Sequence, residues 1–381
     1  MEGDLPDFWW KRVAGPCEVI RRTVDALRGD KSVVLHVPQD LPWRHEMRDI
    51  LREELQSTLG TENLSITFLD AREELAGKRE PGKYLIDRFA LRDVALHYRP
   101  GMASAQDYLL RKGVLRNEIV WIKGLDAEDS RVWVQFCSGW HVSSPSEGLF
   151  VIEDRCSEAE IPPSLVTIGY SDYVDEYSAQ LFNGFTLNSP KFDAYTTARK
   201  RYTASLLTNL CETDVEVAYA LVEEHDLTGE DPLSAVRAVA ESDRFESRGC
   251  GSSKHILGLI RRGNEAEIRE RIWAAQLEVL FPMIEGERLQ IVEKLSEDIS
   301  LLITEGRIEQ DGNEVTSPED IELGSLVHFM RRDSNGKRAI NVAEKDLQGR
   351  IFLLWKCRNH LAHHGCCDMD EVSQLLDHQV N

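Results

Sequence analysis

Residues 351–365 read Ile-Phe-Leu-Leu-Trp-Lys-Cys-Arg-Asn-His-Leu-Ala-His-His-Gly, a short run holding several side chains able to do chemistry. At about 100° per residue, Ile351, Leu354, Trp355, Leu361 and Ala362 form one apolar helical stripe, and Arg358 falls in its middle. A guanidinium there must find a partner or face a water-filled cleft, and such breaks in a pattern are expected at functional sites or interfaces. Asn359 and His363 stand four residues apart on the edge of the stripe, so the amide can touch and orient the imidazole. An imidazole carries protons near neutral pH, and a guanidinium stabilises negative charge; the pair suits acid–base chemistry at an anionic group. The plainer reading is an Arg paired with a buried carboxylate and a His packed at a helix end before Gly365.

His360 and His364 are also four apart, on the opposite side of the same helix, and Cys366 and Cys367 follow at once. The ligand types suit zinc, but four residues this close together seldom converge tetrahedrally without a partner strand. The sequence therefore predicts no metal and no cofactor. The 8 cysteines are otherwise scattered, which fits reduced intracellular thiols better than a disulfide framework.

The candidate helix needs a scaffold. Short apolar runs at Ser32 to Val37, Leu64 to Leu69, Glu118 to Ile122, Leu149 to Ile152 and Leu165 to Gly169 predict strands buried on both faces of a mostly parallel sheet. His45 to Leu55 and Ser130 to Trp140 read as helices between them. Beyond about Tyr170 the periodicity turns helical, with helices expected over Lys191 to His225, Pro232 to Phe245, Glu265 to Phe281, Met283 to Ile303, Pro318 to Arg332, Val342 to Ala362 and Asp370 to Asp377. A polar hairpin-like stretch is expected at Glu309 to Asn313. The fold class is thus an α/β N-terminal domain over residues 1–175, a helical connector over 176–260 and an all-α domain over 261–381. Trp9 and Trp10 read as core or domain-interface residues rather than an exposed anchor.

The strand order of the first half resembles P-loop NTPases of the AAA and STAND type. The phosphate loop itself is missing: His36-Val37-Pro38-Gln39-Asp40-Leu41-Pro42-Trp43-Arg44 has no glycine and two prolines without N–H donors. Ile122-Lys123-Gly124-Leu125-Asp126 is similar to the acidic strand end of that family, and Gly249 to Lys254 lacks the spacing and the preceding strand of a phosphate loop. A degenerate NTPase-like domain that binds a partner, such as a protein, or a ligand is expected, without ATP hydrolysis.

The C-terminal run resembles the signature helix of the HEPN superfamily, in which Arg and a polar residue precede a His by four to six residues. Arg358, Asn359 and His363 carry that likeness. The bare spacing is also met by Arg92 to His97 and by Arg248 to His255, but neither has the adjoining Asn, the small residue before the His and the apolar helix leading in. Looser likeness extends over Arg271 to Glu285 and Glu319 to Gly324, so that it covers about the last 120 residues. What the resemblance implies is a HEPN helical bundle that cleaves RNA without a metal, as a homodimer through the C-terminal domain. His363 would move a proton, Arg358 would hold the phosphate, and Asn359 would fix either of them. It also implies an effector of bacterial phage defence or a toxin system; the alternative is a silent HEPN module that binds RNA or dimerises while the first domain senses a partner.

The net charge of −21 argues against coating nucleic acid through a general positive field. Between Arg331 and His360, however, eight basic residues stand against three acidic ones. Arg331, Arg332, Lys337, Arg338, Arg350 and Lys356 are accordingly expected to guide an RNA backbone. No run of residues approaches the roughly 20 apolar positions of a membrane span, and the start is not that of a signal peptide; the expectation is a cytoplasmic protein without membrane partners.

Overall fold

The computed structural model describes residues 5–59, 64–74, 80–155, 161–305, 309–310, 313–331 and 339–377. The chain divides into two compact units, Met1–Phe182 and Asn183–Asn381.

The first unit is built on five parallel strands, β1 (Val33–His36), β2 (Ser65–Asp70), β3 (Glu118–Lys123), β4 (Leu149–Asp154) and β5 (Val166–Gly169), in the spatial order β2-β3-β4-β1-β5. All five expected runs are strands. Every position of β4 is buried, which is why its sequence is an apolar run without alternation. The helices are α1 (Leu5–Arg12), α2 (Ala14–Arg28), α3 (Arg44–Leu59), α4 (Ala71–Glu74), α5 (Pro81–Phe89), α6 (Arg92–His97), α7 (Ala105–Lys112) and α8 (Ala127–Ser138). No helix is expected from the sequence at residues 5–28 or 71–112, although α2 buries Val19, Ile20, Val24 and Leu27 at helical spacing; the helices at 71–112 are short. Trp9 and Trp10 are fully buried, and Trp9 meets Phe182 edge to face at 5.6 Å.

The division falls within α9 (Glu176–Leu187), and the second unit is otherwise α10 (Thr197–Cys211), α11 (Val215–Glu224), α12 (Pro232–Glu241), α13 (Ile256–Arg261), α14 (Glu265–Lys294), α15 (Ser296–Thr304), α16 (Leu323–Met330), α17 (Lys345–Ala362) and α18 (Met369–Asp377). A two-residue antiparallel pair, β6 (Glu309–Gln310) with β7 (Asn313–Glu314), forms the hairpin. One hydrophobic core runs from Leu187 through Leu221, Leu257 and Val279 to Leu354 and Leu376. The expected connector is therefore no separate body, because its helices from α10 onward share this core.

Two helix boundaries differ from expectation for local reasons. The expected helix Lys191 to His225 is broken after Cys211, where Glu212 takes φ 53° and the Asp214 side chain caps α11 by accepting from the Val217 amide. Conversely, α14 continues through Pro282, where the sequence predicts a stop. Leu280 and Ile284, both fully buried, hold the two halves of that helix to one core. Among the described residues no helix is long and apolar enough to cross a membrane.

Candidate active site

Four residues of α17 are buried on its inner face: Ile351, Leu354, Cys357 and Leu361. Cys357 thus occupies the place in the stripe that the sequence pattern gave to Arg358, while Ala362 is exposed. Cysteine packs as a small hydrophobe, so the stripe is complete without the guanidinium. Arg358 is displaced to the flank, where its Nη2 donates to Glu322 Oε2 at 3.3 Å, the two side chains being 32% and 48% exposed. The partner is a surface carboxylate, not a buried one.

The helix then ends in a left-handed turn. His363 is the C-cap, its amide donating to the Asn359 and His360 carbonyls at 3.2 Å each, and the Gly365 amide donates to the His360 carbonyl at 2.8 Å. His364 takes φ 57°, a conformation that usually selects glycine at this point of the motif. Its ring stacks on Trp273 of α14 with centroids 4.2 Å apart, and Trp273 Nε1 donates to the Leu361 carbonyl at 2.8 Å. The same tryptophan therefore fastens the last turn and holds the strained residue, leaving His363 exposed.

Asn359 meets His363 through backbone only, and among the described residues no hydrogen bond joins their side chains. The orienting contact expected from their spacing is absent because His363 has already left the helix. Arg358 and His363, five residues apart, would be separated by roughly 140° around an ideal helix and about 7.5 Å along it.

The expected RNA-guiding residues are divided. Arg350 is committed internally: its Nε and Nη2 donate to the two Glu287 oxygens at 2.7 Å each and its Nη1 donates to the Gln374 carbonyl, with only 12% of its side chain exposed. Lys356 contacts the buried Glu371 carboxylate and lies 3.8 Å from Asp368. Arg331 is exposed at the end of α16, whereas Arg332, Lys337 and Arg338 lie outside the described residues. The quartet His360, His364, Cys366 and Cys367 does not converge. His364 turns to Trp273 and the Cys366 thiol to the Arg269 carbonyl, while His360 and Cys367 face Glu371 and Cys357.

The decoy Arg248 to His255 is a structural network. Arg248 donates to both oxygens of the buried Asp214 at 2.8 and 2.9 Å, and His255 Nε2 lies 2.9 Å from it. Burial pushes the Asp214 carboxyl up, but Arg248 and His255 outweigh it and hold it below its usual range.

At the carboxyl ends of the parallel strands, where ligands of such sheets ordinarily bind, the first unit has an ion-pair cluster. Glu153 at the end of β4 accepts from Arg48 Nε and Nη2 at 2.5 and 2.8 Å, from Arg44 Nη1 at 3.2 Å and from Trp121 Nε1 at 2.8 Å. Burial raises its carboxyl pKa, yet the two guanidinium groups prevail and hold it below the ordinary value. Arg44 Nη2 also donates to the Pro38 and Gln39 carbonyls at 2.5 and 3.0 Å. The loop after β1 therefore presents carbonyl oxygens to an arginine, the reverse of the amides that cradle phosphate. Asp126 caps α8 by accepting from the Asp129 amide at 2.8 Å. His36 Nδ1 lies 2.9 Å from Asp154 Oδ2, and Ser130 donates to Asp154 Oδ1 at 2.8 Å. Sequence reading missed this cluster because Glu153 and Asp154 end an unremarkable apolar run, and their partners come from other elements.

Compared with models of known protein families and with curated proteins, the chain matches none.

Proposed function

We propose that the chain is an endoribonuclease of the HEPN type, with Arg358, Asn359 and His363 as its working residues. The observation carrying this reading is their placement on one solvent-accessible helix end whose inner face is fully packed and whose last turn is clamped by Trp273. Such a helix end fixes the backbone that carries these polar side chains without burying them. In the reaction, the RNA 2′-oxygen bonds to phosphorus as the bond to the 5′-oxygen breaks. One base takes the 2′-OH proton, and one acid supplies a proton to the departing 5′-oxygen. The phosphate draws Arg358 from Glu322, an exposed pair of little net strength, and the guanidinium then stabilises the charge that develops on phosphorus.

The chemistry needs a base and an acid together, while each chain offers one His363 at the site. A homodimer that brings two helix ends together supplies both. Substrates with a 2′-O-methyl group at the scissile nucleotide test the route. They are expected to resist cleavage completely; cleavage at the same bond would exclude an internal 2′-oxygen nucleophile.

The Arg358 contact with Glu322 favours a second reading, a silent module that binds RNA or dimerises. In either case the first unit serves as a degenerate NTPase-like domain that receives a protein partner, since its strand ends are filled by the Glu153 cluster. An effector role in bacterial phage defence or a toxin system accords with both readings.

A further inference from the structure

Behind the candidate active site, the inner face of α17 meets the start of α18 in a group of metal-ligand type. Cys357, Cys367 and Glu371 are all buried, and their two thiol sulfurs and a carboxylate oxygen lie within 4.8 Å of one another. A tetrahedral zinc with two thiolates would bring those sulfurs to about 3.8 Å, so only a small contraction is needed. One turn along α17 from Cys357, His360 Nδ1 is 3.6 Å from Glu371 Oε2. His360 Nδ1 is a buried atom without a hydrogen-bond partner, and Glu371 Oε1 is in contact with the Lys356 ammonium.

The surroundings fix these residues. The Cys367 amide donates to Gln276 Oε1 at 2.8 Å and its carbonyl accepts from Gln276 Nε2 at 3.2 Å, with Gln276 fully buried in α14. Asp368 and Glu371 form a reciprocal cap of α18: the Glu371 amide donates to Asp368 Oδ1 at 2.9 Å and the Asp368 amide donates to Glu371 Oε2 at 3.0 Å. Outer contacts of this sort hold metal ligands in orientation. Cys357 and His360 stand one helical turn apart in α17, while Cys367 precedes α18 and Glu371 lies in its first turn.

We propose that Cys357, His360, Cys367 and Glu371 bind one zinc ion per chain. Two thiolates, an imidazole and a carboxylate form a closed tetrahedral set with no position left for substrate, so the ion is structural. It fastens α17 to α18 immediately behind the helix end that bears Arg358 and His363. The Lys356 ammonium, now against Glu371 Oε1, is 52% exposed and moves to solvent when the cation binds. Neither the site nor its test depends on the ribonuclease reading.

The test uses the full chain, purified under reducing conditions, with zinc measured by elemental analysis and the ion then exchanged for Co²⁺. Near-stoichiometric zinc is expected, with sulfur-to-cobalt charge-transfer absorption, strong tetrahedral visible bands and a lower melting temperature after chelation. The Cys357→Ser/Cys367→Ser double variant is expected to lose the charge-transfer band. As buried substitutions can unfold the chain, His360→Ala, at a half-exposed position, provides the second arm. It is expected to stay folded by circular dichroism and bind Co²⁺ at least about tenfold more weakly. Absence of zinc together with absence of the charge-transfer band overturns the proposal. A band that survives in the folded double variant, unchanged affinity in His360→Ala, or a Cys357–Cys367 disulfide found by thiol labelling of the native chain does so equally.

Discussion

At the scale of single residues, the candidate site depends on side chains that are held loosely. Arg358 gives one hydrogen bond to Glu322, and His363 is exposed. Arg358→Ala and His363→Ala should therefore change stability by no more than roughly 0.5 kcal/mol while lowering RNA cleavage by about 10²–10⁴-fold. Thermal melts alongside single-turnover rates check both halves, and a variant that cleaves like the parent would place the site elsewhere. Glu322→Gln removes the competitor for the guanidinium, so tighter RNA binding is expected in a titration; weaker binding would show that Glu322 positions Arg358 for the substrate. The helix that carries Arg358, Asn359 and His363 was legible, because its apolar periodicity is local. Glu322, Trp273 and Glu371 were not legible as their neighbours, since they arrive from distant segments. The helical wheel also misplaced Arg358 by one position, because it gave no apolar weight to Cys357.

Elements show where charge has been made structural. The Arg48 and Glu153 side chains are 8% and 2% exposed, so Arg48→Ala leaves a buried carboxylate without its principal partner and is expected to destabilise the fold by about 3–5 kcal/mol in denaturant titration. A loss below 1 kcal/mol would mean that Arg44 and Trp121 suffice. The folded-state pKa of Glu153 lies below its unfolded value. Its contribution is therefore fully present above the ordinary Glu range near roughly 4.3 and is lost as pH falls through the lower folded value. Asp214 behaves likewise below roughly 3.9. Stability measured from pH 6 downward should fall in this window, and Glu153→Gln should flatten part of the fall while lowering stability at neutral pH. Magnesium with ATP should leave the melting temperature unchanged, since the loop after β1 turns carbonyls inward; a shift of several degrees would restore a nucleotide site. The missing glycines were readable in the sequence. What fills the strand ends was not, since β4 reveals its terminal Glu153 and Asp154 only as two acids after a strand.

For the whole molecule, the two-part organisation was legible because a period-free apolar run and a long helical periodicity are different patterns. The connector was not, as helices sharing one core look the same in sequence as helices in two. Packing also changes the form that the proposed homodimer would take. Leu354 and Leu361 are fully buried within the chain, so they cannot meet symmetry mates, and Leu354→Glu is expected to unfold the second unit. The outward stripe of α17 is Phe352, Lys356, Asn359 and His363, with Phe352 38% exposed. Phe352→Glu should therefore shift sedimentation towards monomer and weaken cleavage in parallel, with the circular dichroism spectrum unchanged. The most direct measurement compares RNA integrity after exposure to the intact purified chain and to its Arg358→Ala/His363→Ala double variant at equal concentration. The endoribonuclease reading requires internally cleaved RNA ending in 2′,3′-cyclic phosphates with the intact chain and none with the folded double variant. Cleavage of equal rate and pattern by both proteins, or by neither across a broad set of cellular RNAs, would contradict it.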